Sequence, residues 1–172
     1  QDRQVDEAGF DVAMERQREA ARRAWAGSGE AVTEEVWFDV CEDSGGSEFL
    51  GYDTEAAEGV ITSIVMNGQP AERLEAGQIG MVVTNQTPFY AESGGQMGDE
   101  GFIFTSEGGE FAVSDTVKRL DELHVHVGEM RRGSLAKEDA VEMRVDGERR
   151  TRMRANHSVT HLLHASLRER LG

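Results

Sequence analysis

The period of hydrophobic positions changes twice along the chain. From about Asp6 to Trp25, the residues Phe10, Met14, Ala21 and Trp25 recur at three- or four-residue spacings or their sums, with Gln17 filling the middle turn. One apolar stripe on an otherwise charged segment predicts an amphipathic helix. Asp6 supplies an N-cap oxygen and Gly27-Ser28-Gly29 a stop. A helix this short is marginal unless its stripe packs on something, and that partner is expected upstream. From Glu35 to Val145 the pattern shifts to period two and short apolar runs. It predicts strands at Val36–Cys41, Phe49–Tyr52, Gly59–Asn67, Gln78–Thr84, Gly101–Phe104, Glu110–Val117, Leu123–Val127 and Ala140–Val145. Ser44-Gly45-Gly46, Asn67-Gly68, Glu75-Ala76-Gly77, Gly108-Gly109 and Arg132-Gly133 separate them as turns. From Glu148 to Leu171 the helical period returns, with Val159, Leu162, Leu163, Ala165 and Leu167 on its apolar side. Short, evenly spaced strands joined by such turns indicate a small barrel or sandwich. The predicted fold class is therefore α+β: an antiparallel β-barrel flanked by an N-terminal and a C-terminal helix.

Composition narrows this picture. Twenty glycines against two prolines suit tight turns between strands. The 172 residues suffice for one domain of ordinary size and part of a second. The single cysteine, Cys41, excludes an internal disulfide framework and suggests a reducing compartment. No apolar run reaches the length of a bilayer span, and Gln1-Asp2-Arg3-Gln4 does not begin a signal peptide. The expected location is the cytoplasm, with no membrane partner.

The net charge of −15 argues against general binding to nucleic acid, DNA included, because phosphates would be repelled. The charge is uneven, however. Residues 148–172 hold six arginines against two glutamates, so this segment carries +4 and the remainder −19. One basic corner on an acidic protein suits a local nucleic-acid contact.

Three constellations can carry chemistry. In Asn156-His157-Ser158-Val159-Thr160-His161, the two histidines stand four apart, one turn apart on the same helix face, and can aim both imidazoles at one metal ion, with zinc the natural guess. Two surface or half-buried histidines are the equally open alternative. The zinc-protease reading falls away, because Ser158 stands where those enzymes place a glutamate. Zinc also needs further ligands than two, and these are expected outside this chain. The second constellation is Thr87 to Asp99, in which Gly94 and Gly95 let backbone approach a ligand, while Glu92, Ser93 and Gln96 bring polar groups. A plain barrel connection is the alternative. The third is Arg149, Arg150, Arg152 and Arg154 at a helix start, where the macrodipole disfavours positive charge. Phosphate contact explains the run, and so does neutralisation by the acidic remainder of the protein. His124 and His126 share a strand face without a third ligand and read as ordinary strand histidines.

Three segments together resemble the alanyl-tRNA synthetase family: Gly9-Phe10 with the helix ending Ala24-Trp25-Ala26-Gly27-Ser28-Gly29, the run Thr87 to Gly98, and Arg154-Ala155-Asn156-His157-Ser158-Val159-Thr160-His161-Leu162-Leu163-His164-Ala165. The resemblance implies residues 1–30 as the last helix of the aminoacylation half, 31–147 as a β-barrel, and 148–172 as the start of an editing domain. It implies that the full enzyme ligates alanine to tRNA(Ala) with ATP and Mg2+ and hydrolyses seryl or glycyl esters formed in error. His157 and His161 match the first pair of the family's zinc ligands. A later Cys-x-x-x-His pair has no counterpart here, so the fragment alone is expected to be inactive. Thr160 matches a position lining the editing pocket, and Gly94, Gly95 and Gln96 a loop near it. A piece of a free-standing alanyl-tRNA editing hydrolase and a non-catalytic RNA-binding barrel adaptor are the competing readings.

Overall fold

In the computed structural model, residues 31–92, 97–153, 155 and 168 are described. Six strands close a ring: β2 (Ala56–Met66), β5 (Ile79–Thr84), β9 (Leu123–Arg132), β8 (Glu110–Arg119), β7 (Gly101–Thr105) and β11 (Ala140–Val145), in that order around the barrel. Every pairing in the ring is antiparallel, and β11 returns to β2 through five partners, from Ala140 opposite Val60 to Arg144 opposite Ala56. Closure leaves each of the six ring strands paired on both sides. The α+β barrel expected from the sequence is thus the observed fold.

The strands begin and end where local chemistry dictates. Asn67 and Gly68 both have positive φ, 53° and 74°, and join Met66 to its partner Gln69 in a two-residue hairpin. Such turns match the twist of paired strands and favour Asn-Gly. This hairpin adds β3 (Gln69–Ala71), and β4 (Arg73–Glu75) pairs with β10 (Ser134–Ala136) in a separate ribbon. Leu74 and Leu135 of that ribbon enter the barrel interior beside Ile61, Ile103, Phe111 and Met143, all of them at most 2% exposed. Two short strands, β1 (Glu48–Phe49) and β6 (Gln86–Thr87), pair in parallel just before the glycine-rich run.

The strand expected at Val36–Cys41 is instead part of a helix, α1 (Ala31–Ser44). The run Val-Trp-Phe-Asp-Val has strand composition, but burial follows helical spacing. Trp37 and Val40 are buried, Cys41 and Ser44 partly so, and Asp39 and Glu42 face solvent. Trp37 and Val40 cover Val65, Val83, Leu123 and Val125 on the outside of the barrel. Gly45, at φ 68°, then ends the helix, its N–H donating to the Cys41 carbonyl at 3.0 Å. Of the strand expected at Phe49–Tyr52, only Phe49 is paired, and the chain turns at Gly51–Asp53.

The helix expected over residues 6–25 lies outside the described residues. A second helix, α2 (residues 147–153), follows β11, as the sequence predicts. Among the described residues no helix is long and apolar enough to cross a membrane.

Candidate functional site

The glycine-rich run leaves the barrel after β6 and returns to it before β7. Its two arms meet at a base. The Tyr90 N–H donates to Asp99 Oδ2 at 2.7 Å, and the Asp99 N–H donates back to the Tyr90 carbonyl at 2.9 Å. Thr116, fully buried on β8, holds both arms. Its carbonyl accepts from the Glu92 N–H at 2.8 Å, and its hydroxyl donates to the Asp99 carbonyl at 2.9 Å. A shift in the register of β8 between Val113 and Asp115 precedes this residue, and such irregularities re-aim strands next to functional segments. Gly98 fits here because it lacks a side chain: a Cβ would stand 2.1 Å from the Thr116 carbonyl oxygen.

Helix α2 starts against the same base. Asp146 caps it, its carboxylate accepting the Arg149 N–H at 2.9 Å and its carbonyl the Arg150 N–H at 3.0 Å. The Asp146 N–H donates to the Glu100 carbonyl at 2.8 Å. Arg149 donates to the Gly98 carbonyl at 2.9 Å and pairs with Glu100 at 2.8 Å. Arg150 is 4% exposed and Asp99 2%. Arg150 Nε donates to Asp99 Oδ2 at 3.0 Å, and Nη2 reaches the same oxygen. The guanidinium also donates to the carbonyls of Gly51, at 3.4 Å, and Pro88. One side chain therefore ties together the turn after β1, the departing arm of the glycine-rich run, its returning arm, and α2.

This arrangement sorts the arginine run. Arg149 and Arg150 are neutralised by Glu100 and Asp99, and the burial of Arg150 keeps it from any phosphate. Arg152 is exposed. Arg154, His157, Thr160, His161, Gly94, Gly95 and Gln96 lie outside the described residues. Asp99, Thr116 and Asp146 were not singled out by the sequence. An aspartate three residues before a helical N–H is a capping signal that could have found Asp146. No local pattern marks Thr116 or the pairing of Asp99 with a residue fifty-one positions away.

The strand histidines are core residues. His126 is fully buried, with Nδ1 2.9 Å from the Val82 carbonyl and Nε2 2.8 Å from the Thr87 hydroxyl. A neutral ring donating from Nδ1 and accepting at Nε2 satisfies both contacts. Burial lowers its pKa to about 4, with His124 adding to the effect and the Val82 hydrogen bond opposing it. His124 stacks flat on Phe49, with ring centroids 5.3 Å apart, and its pKa is also lowered to about 4, by burial first and Lys118 second. Cys41 sits on α1, its thiol 3.5 Å from the Glu122 carboxylate. Among the described residues no group of three His, Cys, Asp or Glu side chains is placed to hold a metal.

The chain resembles known proteins over nearly its whole length. The family described as tRNA synthetases class II (A) matches residues 1–149. The chain is 55% identical over 168 residues to an alanine–tRNA ligase of Parvibaculum lavamentivorans and equally to one of Sphingopyxis alaskensis, 98% of this chain in each case. It is 55% identical over its full 172 residues to that of Rhizorhabdus wittichii. The chain spans about a fifth of these relatives, 19% of each.

Proposed function

The chain belongs to the class II (A) tRNA synthetase family, and from that premise we propose that it is an internal segment of an alanine–tRNA ligase. The whole enzyme activates alanine with ATP and Mg2+ and transfers it to tRNA(Ala). This segment contributes the barrel and the start of a domain that hydrolyses mischarged seryl- or glycyl-tRNA. The observation that supports an editing role is the buried Asp99–Arg150 pair, which joins the base of the glycine-rich run to the first turn of the helical segment whose sequence continues into His157 and His161.

His157 and His161 are the residues of this chain that would hold zinc. Two imidazoles suit that metal, whereas His126 has both ring nitrogens engaged and Cys41 lies on α1. Bound there, zinc supplies a polarised water or carbonyl at neutral pH. The polypeptide supplies shape. Gly94, Gly95 and Gln96 are the residues of the run assigned to a small acyl group, and Thr160 brings a hydroxyl for discrimination. Serine exceeds alanine by one hydroxyl, which an apolar synthetic pocket rejects poorly, so a second site that accepts the larger product is the physical answer. Arg152, exposed on α2, and Arg154 are the arginines of the run assigned to the phosphates of the acceptor end.

The test compares this 172-residue chain with a version extended to a second pair of zinc ligands. Metal content and seryl-tRNA hydrolysis are measured on both. The extended protein should hold one zinc per chain and hydrolyse seryl-tRNA, and the short chain should do neither. Tight zinc and robust hydrolysis by the short chain would show that the site is built differently. A metal-free extended protein that still binds tRNA would support the adaptor reading.

A further inference from the structure

We propose that Arg150 and Asp99 are positioning residues for the editing site: the pair fixes the rotation of α2 against the base of the glycine-rich run. This inference rests on the editing role proposed above.

A buried charge pair is a poor way to gain stability. Removing both ions from water costs several kcal/mol each, and apolar side chains of similar volume often hold two elements together as well. What an arginine adds is direction, because its planar fork satisfies its partners only in one orientation. Here the fork meets the Asp99 carboxylate and the carbonyls of Gly51 and Pro88, three separate stretches of chain, and its own backbone N–H lies in the first turn of α2, bonded to Asp146. Few rotations of the helix about its axis satisfy all of them together. Asp99 is equally committed, accepting the Tyr90 N–H while its own N–H closes the base of the run.

Helical geometry carries the consequence onward. Each residue advances about 100° around an α-helix, so positions seven and eleven beyond a given residue return to within about 20° of it. On the helix that the sequence predicts over 148–171, positions 157 and 161 therefore share the face of position 150. On that predicted helix, fixing the rotation at Arg150 also fixes the direction of these two positions. Neither surface exposure nor the macrodipole explains an arginine at this place. A requirement for orientation does.

Asp99→Asn and Arg150→Lys test this in two settings. Asn keeps an acceptor for the Tyr90 N–H, and Lys keeps the charge but loses the fork. In the 172-residue chain, hydrogen exchange should accelerate at least about tenfold at the amides of Tyr90, Asp99 and Arg150 in both variants, with the amide of Val125 in the barrel wall unchanged. In the full-length protein, kcat for seryl-tRNA hydrolysis should fall at least about tenfold. KM for the tRNA should stay within about twofold and zinc content at the wild-type value. Unchanged exchange at the three amides would overturn the proposal. So would wild-type kcat in a variant whose junction exchanges fast, or loss of protection at Val125, which would make the pair a general stability element. A wild-type full-length protein that hydrolyses no seryl-tRNA would instead overturn the editing role, and the exchange results would still decide whether the pair orients the helix.

Discussion

Inside the barrel, Ile61, Ile103 and Phe111 exclude water by area alone, and side chains of similar volume could replace them. A few residues away, at the base of the glycine-rich run, the structure is held by a carboxylate, a guanidinium and a set of directed backbone hydrogen bonds. The first region resists unfolding. The second resists rotation and displacement. Non-directional burial specifies that strands pack, but not how an appended helix is turned, and the only buried ion pair among the described residues sits where that orientation matters.

The largest expected effect lies in the barrel. Phe111→Ala should lower the unfolding free energy by about 3–5 kcal/mol in urea melts, by loss of buried area and creation of a cavity. The hydrogen bonds at the junction should stay intact up to the global transition. A loss confined to the junction would break the division into two regions.

Asp99→Leu alone leaves Arg150 buried without its counter-ion and should cost about 3 kcal/mol. Adding Arg150→Met should recover at least half of that in the same melts. Full additivity of the two changes would mean that the ions do not act as a pair.

Acid should strike the barrel through His126. Its folded pKa of about 4 lies below the ordinary value of 6.5. The unfolded chain therefore binds a proton that the folded one does not, and this contribution is complete above pH 6.5 and lost as pH falls toward 4. Between pH 7 and pH 5 the loss for one such group is about 2 kcal/mol. His126→Gln should be less stable at pH 7 and should flatten the slope. An unchanged slope would assign the acid sensitivity elsewhere, with His124 next in line.

Much of the barrel was legible in the sequence because one face of most strands meets water. β11 (Ala140–Val145) alternates exposed and buried positions over its first five residues and has the bounds that its pattern predicts. Where both faces are covered, alternation disappears. Leu123 to His126 on β9 are buried in succession because α1 lies over the outer face. The sequence of that covering helix predicts a strand, since Val36, Trp37, Phe38 and Val40 have strand composition, and tertiary packing overrides the propensity. The short strands β1, β4, β6 and β10 have too few residues to establish a period.

By itself the sequence determined the antiparallel barrel, its main turns and the helical return after Val145, because periodicity and turn chemistry act over a few residues. It also singled out the histidine pair and the glycine-rich run as candidates, by residue type and spacing. Only the tertiary structure decided what the arginines do. Arg149, Arg150 and Arg152 are close neighbours in one basic run, yet one is largely covered beside Glu100, one is buried against Asp99, and one is exposed. Their separate fates depend on which carboxylates the closed barrel brings to the start of α2. The partners lie about fifty residues away in sequence, and only the register of the strands between them places them in contact.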